Sequence, residues 1–299
     1  MKIVNVIGGL GNQMFQYAFA LTLKAKNPSE EVKVDVSHFN YLFIKKFKSA
    51  NLHNGFEVEK VFPNAKLKRA KWIELLKVTW YCPNYLLSRG FRRVLPKRKT
   101  EFIQPVSQYF QYDPSVYDLQ GNFYFEGLWS AAAYYNPIKS ILKETFAHPK
   151  ATGHNAEYIR KMEETHSVGI HVRRGDYMLE PDFRDICEID YYRSAIKEII
   201  KDGQNHTFFV FSNDMSWCTT NLFPLFGEQD AVMVTENVGK DSCWDMHLMR
   251  HCKDLIIANS SFSWWAATLK ESEGRVIAPK KWVNRDAKFD IWDETWIKI

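Results

Sequence analysis

The chain contains 299 residues, enough for two domains of about 150 residues each. Hydrophobic residues make up 45% of the sequence and charged residues 25%, as in ordinary globular proteins. The formal net charge is only +5, and no apolar run approaches the ~18 residues that a membrane-spanning helix needs, so any membrane contact must be peripheral.

The first elements predict a βαβ unit. An apolar strand is expected at 2–7, a helix from 12 to 26, and a second strand at 32–36. A strand, a turn, a helix and a second strand in this order are typical of a parallel sheet.

The turn Gly8-Gly9-Leu10-Gly11 lies between the first strand and the first helix. It is not the dinucleotide-binding fingerprint, because the third glycine of that pattern would fall on Met14. Two interpretations stay open. The turn is either a plain tight turn, or it places Asn12 and Gln13 where they can hydrogen-bond a substrate.

The middle of the chain is irregular and basic. Between residues 66 and 99 there are 11 Lys and Arg residues against a single acid, Glu74. Prolines and a glycine interrupt this stretch, so we expect short helices. It is either a solvated basic surface or a landing surface for an anionic membrane or acceptor. A further strand is expected at 123–129.

A domain boundary is expected between 147 and 155, where Pro149 and Gly153 occur. We therefore assign an N-terminal domain to 1–150 and a C-terminal domain to 151–299. In the second domain, predicted strands alternate with helical patterns, which indicates a doubly wound α/β domain. The strands are expected at 168–172, 207–212, 231–234, 255–257 and 275–278, and the helices near 190–201, 216–223, 242–251 and 261–271.

The stretch His171-Val172-Arg173-Arg174-Gly175-Asp176-Tyr177 is the most informative motif. It follows a buried strand, and open α/β sheets bind ligands at the carboxyl ends of their strands. The adjacent guanidiniums of Arg173 and Arg174 favour a partner with several negative charges, for which a diphosphate is the natural candidate. The alternative is a structural network between the arginines and Asp176.

A serine-rich motif, Asn259-Ser260-Ser261-Phe262-Ser263, follows the strand at 255–257 and begins a helix. The free N–H groups at a helix start, together with serine hydroxyls, predict a site for phosphate oxygens. Such a site could face Arg173 across one sheet edge and hold the other side of a diphosphate. The alternative is a capped helix whose tryptophans, Trp264 and Trp265, pack in the core.

Two carboxylates are further candidates for ligand contact. Asp214 follows the strand at 207–212 and is either a helix N-cap or a ligand contact, so we include it among the donor-binding candidates. Asp245 lies on an apolar helix, where a carboxylate needs partners. A guanine edge with its N1 and N2 donors is one candidate partner, and a buried salt bridge is the other.

The sequence does not favour a resident metal. It lacks the Asp-x-Asp motif that holds a metal on a nucleotide diphosphate. Cys243, His247 and His251 have a spacing that could bind zinc, but position 248 is Leu248 and the H-E-x-x-H pattern is absent.

The five cysteines are an odd number without close pairing, and Lys2 leads straight into the first apolar strand without a signal-peptide pattern. We therefore expect reduced thiols in a cytoplasmic protein, with the basic stretch allowing peripheral contact with the inner membrane face. The basic stretch contains no recognised nucleic-acid-binding module, so no nucleic-acid partner is expected.

Three motifs together resemble those of bacterial α-1,2-fucosyltransferases. They are the segments Gly8–Ala18, His171–Tyr177 and Asn259–Ala267, and their order and spacing fit that family. The histidine–arginine motif alone would also fit α-1,6- and protein O-fucosyltransferases. Between about 40 and 120 no motif can be matched, so the choice of acceptor stays open.

The resemblance implies an α/β fold of two Rossmann-like domains with GT-B-type architecture. It implies GDP-fucose as donor, with no metal and no other cofactor. It further implies that Arg173 contacts the donor diphosphate and that His171 lies near the nucleoside. The serine-rich motif would contact the phosphates through Ser261, Phe262 and Ser263.

The resemblance also implies that Asp245 reads guanine and that Asn12 lies near fucose and acceptor. The expected reaction is inverting transfer of fucose to the 2-hydroxyl of an oligosaccharide acceptor, galactose by resemblance, with or without a lipid carrier. Arg173 would stabilise the departing β-phosphate charge. Asp176 and Glu126 are candidates for a general base, and a mechanism without a base is the third option.

Two other classes of function compete with this interpretation. A nicotinamide-dependent oxidoreductase could use Asp35 to hold a ribose, but the missing third glycine counts against it. A non-catalytic sugar-binding protein could use the aromatic residues, which make up 15% of the chain, but neutral sugars do not call for paired guanidiniums. The sequence does not indicate an oligomeric state.

Overall fold

The structure is a computed structural model, and it describes residues 1–39 and 54–299. Part of the motif-poor stretch between about 40 and 120 therefore lies outside the described residues. Among the described residues, none of the helices combines the length and the apolar composition needed to cross a membrane. All five cysteines lie in the described part of the chain, and no disulfide joins any of them.

The chain divides into two compact units. The N-terminal unit comprises Met1–Ala147 together with Lys288–Ile291, and the C-terminal unit comprises His148–Ala287 together with Trp292–Ile299. The short segment Lys288–Ile291, which the sequence analysis assigned to the second domain, thus belongs with the first. Its backbone explains this, because Asp290 exchanges hydrogen bonds with Phe110 and Ala132 in the N-terminal unit.

The N-terminal unit is built on a parallel sheet of five strands in the spatial order β3-β2-β1-β5-β4. The strands are β1 (Lys2–Asn5), β2 (Val32–Asp35), β3 (Lys68–Arg69), β4 (Glu101–Ile103) and β5 (Phe123–Glu126). The helices are α1 (Leu10–Lys26), α2 (Val58–Val61), α3 (Trp72–Val78), α4 (Tyr85–Val94) and α5 (Lys139–Thr145). The central strand β1 is fully buried, as expected for a parallel strand covered on both faces.

The C-terminal unit contains a parallel sheet of six strands in the order β11-β10-β9-β6-β7-β8. The strands are β6 (Ser167–Val172), β7 (Thr207–Ser212), β8 (Asp230–Val234), β9 (Asp254–Ile256), β10 (Val276–Ala278) and β11 (Ile297–Lys298). The helices are α6 (Gly153–Glu164), α7 (Ile189–Ile200), α8 (Met215–Trp217), α9 (Cys243–His251) and α10 (Ser261–Thr268). Two parallel-sheet α/β units confirm the predicted fold class, and they are the building blocks of the GT-B type.

The structure departs from the predicted elements in a few places. The helix expected at 216–223 is broken, because α8 gives way to a π-helical turn at Cys218–Leu222 and a 3₁₀ turn at Phe223–Leu225. Pro224 lacks the N–H that a regular helix would need there. Helix α6, which the sequence did not predict, begins at Gly153, within the region expected as the domain boundary. Strands β3, β4 and β11 were not predicted, since two or three residues are too few to show a period.

Gly169 allows side chains from the neighbouring part of the unit to pack directly against β6, one of the two central strands of the second sheet. It lies in the middle of β6, beside β9 in the parallel register. A Cβ atom at this position would lie 2.7 Å from a methyl group of Leu255 and 3.0 Å from the sulfur of Cys252. Only glycine fits, and the residues that follow β6 and β9 are thereby held side by side.

Candidate functional site

The topology of the C-terminal sheet defines where a ligand is expected. The strand order reverses between β6 and β9, since β7 and β8 lie on one side of β6 while β10 and β11 lie beyond β9. Ligands of open α/β sheets bind outside the carboxyl ends of the strands at such a switch point. The register pairs Ile170 with Ile256, so the histidine–arginine motif leaves the sheet next to the serine-rich motif.

A hydrogen bond joins these two motifs. Nδ1 of His171 lies 2.8 Å from Oγ of Ser263, and the imidazole packs near the ring of Phe262 with 5.7 Å between centroids. Burial, assisted by the charge of Arg173, lowers the pKa of His171 to about 3. The imidazole is therefore neutral at physiological pH, and it positions the start of α10 rather than carrying charge.

Arg173 brings a cation to this edge of the sheet. Its guanidinium donates to Oδ2 of Asp176 over 2.8 Å and lies 5.5 Å from the ring centroid of Tyr177. The side chain is about one-third exposed, and its Nε has no hydrogen-bond partner among the described residues. Arg173 thus has donors left for a ligand.

Arg174 does not share this role. Its guanidinium donates to Glu188 over 2.7 Å, lies 4.3 Å from the ring centroid of Trp217, and comes within 4.0 Å of Asp214. The two adjacent arginines therefore have separate sets of partners. The expectation that both guanidiniums bind one diphosphate is not supported, because Arg174 belongs to a structural network.

Asn213 organises the loop that carries Arg173. Its Oδ1 accepts a hydrogen bond from the backbone N–H of Arg174 over 3.0 Å, and its Nδ2 donates to Asp176 over 3.3 Å. The sequence predicts either helix capping or ligand contact for Asn213, as it does for the neighbouring Asp214, and does not predict this role in the loop. Its position immediately after β7, the strand paired with β6, is the signal from which this role could have been inferred.

The start of α10 combines capped and free donors. The hydroxyl of Ser260 accepts from the N–H of Phe262 over 3.3 Å, while the N–H groups of Ser261 and Ser263 have no hydrogen-bond partner among the described residues. Free N–H groups at a helix start attract anions. Ser263 is fully buried, with its hydroxyl against His171, so a phosphate could reach this helix start at the partly exposed residues Ser261 and Phe262.

Asp214 acts as a helix cap in the structure. Its Oδ1 accepts from the backbone N–H of Trp217 and from the hydroxyl of Ser216, each over 3.1 Å. Its other oxygen approaches Arg174. These contacts match the capping interpretation, and the predicted ligand contact of Asp214 stays a prediction.

Asp245 lies in a neutral environment on α9. Its Oδ1 accepts a hydrogen bond from Asn237 over 2.9 Å, and Asn237 in turn pairs with Asn155. Burial raises the pKa of Asp245 to about 7; the hydrogen bond from Asn237 lowers it, and the charge of Glu236 adds to the rise. No cation pairs with Asp245 among the described residues, so the structure does not support the salt-bridge alternative.

The zinc alternative is also not supported. No group of three or more potential metal ligands occurs in the described part of the chain. His247 instead stacks on His148 with 4.5 Å between ring centroids, and His251 packs edge-on against it. Burial, together with the charges of His251 and Arg250, lowers the pKa of His247 to about 3, which keeps this ring neutral.

In the N-terminal unit, the glycine turn follows β1 at the corresponding switch point between β1 and β5. Gly8 has a φ of +82°, a conformation that favours glycine. Asn12 is partly exposed at this edge. Gln13 is not at the mouth as predicted, because its buried amide donates to the carbonyls of Gly8 and Gly55 and accepts from the N–H of Glu57, each over 2.8 Å.

Two carboxylates considered in the sequence analysis are occupied by the protein itself. Glu126 forms an ion pair with Arg92, with 2.8 Å between Oε2 and Nε. Asp35 is buried and accepts hydrogen bonds from Tyr124 over 2.8 Å and from the N–H of Ser37 over 2.9 Å. It is not available to hold a ribose, so the main support for an oxidoreductase is lost.

A cavity of about 170 Å³ lies in the N-terminal unit at the carboxyl ends of β4 and β5, and sequence reasoning missed it. Trp129 adopts a φ of +59°, which is rare for a bulky residue, and its Nε1 is buried without a partner among the described residues. Gln104 stabilises this bend by accepting from the N–H of Leu128 and Trp129. The lining residues are Phe102, Gln104, Gln108, Gln111, Tyr112, Asp113 and Trp129.

Comparison with known proteins gives the family. The sequence model described as glycosyl transferase family 11 matches residues 104–299. Alpha-1,2-colitosyltransferase of Escherichia coli is 31% identical over 304 residues, which cover 99% of this chain and 98% of that protein. Galactoside alpha-(1,2)-fucosyltransferase 2 of Gorilla gorilla gorilla is 24% identical over 278 residues, covering 90% of this chain and 69% of that protein.

Among solved structures, NodZ alpha-1,6-fucosyltransferase soaked with GDP-fucose is similar with a TM-score of 0.46 and 15% sequence identity, covering 93% of this chain and 94% of that chain. The family match takes in the histidine–arginine and serine-rich motifs, and the Escherichia coli relative is similar over nearly the whole chain. The resemblance seen in the sequence is therefore confirmed, and the chain belongs to glycosyltransferase family 11.

Proposed function

We propose that this glycosyltransferase moves L-fucose from GDP-β-L-fucose to the 2-hydroxyl of a galactose residue in an oligosaccharide, with inversion and without a metal. The observation that carries the proposal is the hydrogen bond between His171 and Ser263. It joins the strand end that presents Arg173 to the helix start that presents free N–H groups. One cation and one helix N-terminus at a switch point suit a diphosphate.

Breaking the bond between the anomeric carbon and the β-phosphate oxygen leaves negative charge on the phosphate. Arg173 and the N–H group of Ser261 at the start of α10 would stabilise that charge as it develops. A divalent cation supplies this stabilisation in other transferases. The proposal that none is required rests on these positively polarised groups.

Asp245 supports a guanine nucleotide as donor. Among the described residues, Asn237 is the one hydrogen-bond donor to its carboxylate, and guanine carries two adjacent donors at N1 and N2. Burial raises the pKa of Asp245, because the ionised carboxylate is poorly solvated there. A ligand that donates to this group would relieve that cost.

We assign the acceptor sugar to the cavity of the N-terminal unit. At about 170 Å³ it is smaller than the roughly 300–1,000 Å³ of typical ligand pockets, so it suits one sugar residue rather than a nucleotide. The partly exposed aromatic side chains of Phe102 and Tyr112 can pack on the C–H face of a sugar, and the amides can bind hydroxyls. A carrier for the acceptor, lipid or otherwise, lies outside this cavity.

We assign Asp176 to orienting Arg173, because its two carboxylate oxygens are held by the guanidinium and by Asn213. Departure of GDP then runs ahead of attack by the acceptor hydroxyl, and no strong base is needed. Asn12 stays a candidate for contact with the sugars, since its side chain is partly exposed at the edge of the first sheet.

The experiment that tests the proposed function is a transfer assay on the purified chain with GDP-fucose and an array of oligosaccharides. Mass spectrometry and linkage analysis would identify the product, and we expect α-1,2-fucosyl galactose both with and without EDTA. An α-1,6-linked product or a fucosylated peptide would support the other linkages that fit the histidine–arginine motif. Absence of any turnover would leave only sugar binding and contradict the proposal.

A second donor is favoured by one specific finding, the 31% identity to an alpha-1,2-colitosyltransferase. The same assay with GDP-colitose beside GDP-fucose decides between the two sugars. Both donors share the nucleotide, so the roles assigned to Arg173, Asp245 and the start of α10 hold for either. Preference for colitose would correct the sugar without changing the site.

A further inference from the structure

Helix α4 exposes most of its apolar side chains and buries two of its polar ones. Leu87, Phe91 and Val94 are 55%, 43% and 84% exposed, while Ser88 is fully buried and Arg92 is only 5% exposed. A surface helix normally turns its apolar stripe toward the core. The opposite orientation indicates that the apolar stripe has a partner other than water.

Specific bonds hold α4 in this orientation. Nε of Arg92 donates to Glu126 over 2.8 Å, and its guanidinium lies 5.2 Å from the ring centroid of Tyr124. The hydroxyl of Ser88 accepts from the N–H of Cys82 over 2.7 Å and donates to the carbonyl of Cys82 over 2.9 Å. Rotating the helix would leave a buried charge unpaired, which is far more costly than exposing leucines.

Helix α3 and the segment after it extend the apolar surface. Trp72 is 61% exposed, and Ile73, Leu76 and Trp80 are also exposed. The indole of Trp80 donates to the carbonyl of Pro96 just beyond α4, which ties the ends of the two helices together. Of the 16 large hydrophobic side chains that the described chain exposes, nine lie between residues 72 and 95. We call these nine side chains the α3–α4 apolar face.

Cations surround this face. Lys77, Arg93, Lys97 and Lys99 are exposed, and none of the ion pairs formed among the described residues involves them. The single acid of the basic stretch, Glu74, is already paired with Lys33. Positive charge at the rim opposes docking of a second copy of the same face, because like charges would meet. It complements a surface that carries negative charge.

We propose that the α3–α4 apolar face docks on an anionic phospholipid bilayer. The exposed tryptophans and leucines would enter the interfacial region, and the surrounding cations would contact lipid phosphates. Seven- and ten-residue helices cannot span the bilayer, so the protein would lie on its surface. This binding needs neither donor nor acceptor, so it goes beyond the proposed function and is tested separately.

Two signals act together at this surface, as stable attachment to a membrane requires. Each cation close to an anionic leaflet increases binding about fivefold at moderate salt. Each apolar side chain that leaves water adds roughly tenfold or more. The complete surface should therefore bind vesicles that contain phosphatidylglycerol and bind neutral phosphatidylcholine vesicles far more weakly.

The main experiment is flotation of the full chain with phosphatidylglycerol vesicles, using matched pairs of variants. We expect Leu87→Ser/Phe91→Ser to lower the partition coefficient at least tenfold, because the apolar contact is lost. The control Ile141→Ser/Ile200→Ser removes two similarly exposed hydrophobic side chains elsewhere and should bind as the wild type does.

A second pair of variants tests the electrostatic contribution. Arg93→Glu/Lys97→Glu should weaken binding about 25-fold or more at low salt, with a smaller loss at high salt. The control Lys150→Glu/Lys197→Glu makes the same change in net charge at exposed positions outside the face. Equal losses in both pairs would mean that only net charge matters, and would overturn the proposed surface.

Contact with the bilayer can be observed directly at the tryptophans. Lipids with brominated acyl chains should quench part of the fluorescence of the wild type. In Trp72→Phe/Trp80→Phe this quenching should largely disappear, while binding to the vesicles is retained because phenylalanine still inserts. Unchanged quenching in that variant would mean that other tryptophans contact the membrane, and would overturn the α3–α4 apolar face as the docking surface.

Two further outcomes overturn the proposal. One is failure of the folded wild type to bind anionic vesicles at low salt. The other is a dimer in sedimentation that Leu87→Ser/Phe91→Ser dissociates, which would assign the face to a second copy of the chain. Turnover with a water-soluble acceptor should be unchanged in this variant. A failed transfer assay with intact vesicle binding would therefore refute the proposed function alone.

Discussion

Nδ1 of His171 lies 2.8 Å from the hydroxyl of Ser263, although the two residues are 92 positions apart in the chain. The bond links the carboxyl end of β6 to the first turn of α10, and both of its partners are buried. The candidate diphosphate site therefore depends on a neutral histidine that fixes geometry.

The first prediction concerns this bond. Ser263→Ala should cost about 1 kcal/mol in the free energy of unfolding and weaken GDP binding several-fold, because the helix start is no longer held against β6. Calorimetry with GDP and urea titration measure the two effects. Ser194→Ala, which removes a serine hydroxyl from the exposed side of α7, is the control. Lost stability with unchanged GDP affinity would limit the bond to a structural role.

The second prediction separates the two adjacent arginines. Arg173→Ala should lower kcat on the order of a hundredfold or more without unfolding the protein, because its charge stabilises the departing phosphate. Arg174→Met should lower the free energy of unfolding, because the contact with Glu188 is lost, but it should keep substantial turnover. Arg193→Ala, which removes an exposed guanidinium on α7, is the neutral control. Near-normal turnover in Arg173→Ala would refute the proposed leaving-group stabilisation.

The third prediction concerns Asp176, whose carboxylate oxygens accept hydrogen bonds from Arg173 and Asn213. Asp176→Asn should reduce kcat about tenfold or less, because the carboxylate is half-exposed and only orients the guanidinium. The shape of the pH profile of kcat should stay the same. Disappearance of one limb of that profile would instead identify Asp176 as the general base.

The fourth prediction follows from the raised pKa of Asp245, about 7. Guanine would bind the ionised carboxylate, so GDP affinity should rise as the pH increases toward 7 and level off above it. Asp245→Asn should weaken GDP roughly 10- to 100-fold, remove this pH dependence and leave ADP affinity unchanged. Calorimetry at pH 6, 7 and 8 measures all three effects.

The same variant has a predictable effect on stability. A carboxyl group whose pKa is higher in the folded than in the unfolded state stabilises the protein at low pH, and this contribution is lost as the pH rises through the folded-state value. Asp245→Asn should therefore be more stable than the wild type at pH 8 and closer to it at pH 5. Lower stability at pH 8 would show that the carboxylate has a favourable partner within the protein.

The sequence was sufficient to predict the edge of the sheet at which the motifs meet. Buried strands followed by glycine, serine or charged residues show where ligand-facing loops begin. His171 lies at the end of one such strand, and Ser263 follows another. The direction of Arg174 was not predicted, because it depends on Glu188 and Trp217, which lie further along the chain.

Features that depend on distant residues were not accessible in this way. Asp35 looked like a ribose ligand until the structure placed Tyr124 against it, 89 positions later. Helical spacing in α4 indicates an amphipathic helix but not which face is inside. That choice is made by the pairing of Arg92 with Glu126, 34 positions apart.

The cavity of the N-terminal unit gives the last prediction. Asp113→Asn removes a charge from the lining but keeps an oxygen that can accept from the N–H of Ser115, so the fold should be retained. We expect KM for the acceptor to rise about tenfold while GDP affinity stays the same, since a carboxylate binds sugar hydroxyls more strongly than an amide does. Asp118→Asn, at an exposed position in the same unit, is the control. An unchanged KM in Asp113→Asn, or a change in GDP affinity, would show that the acceptor does not bind in this cavity.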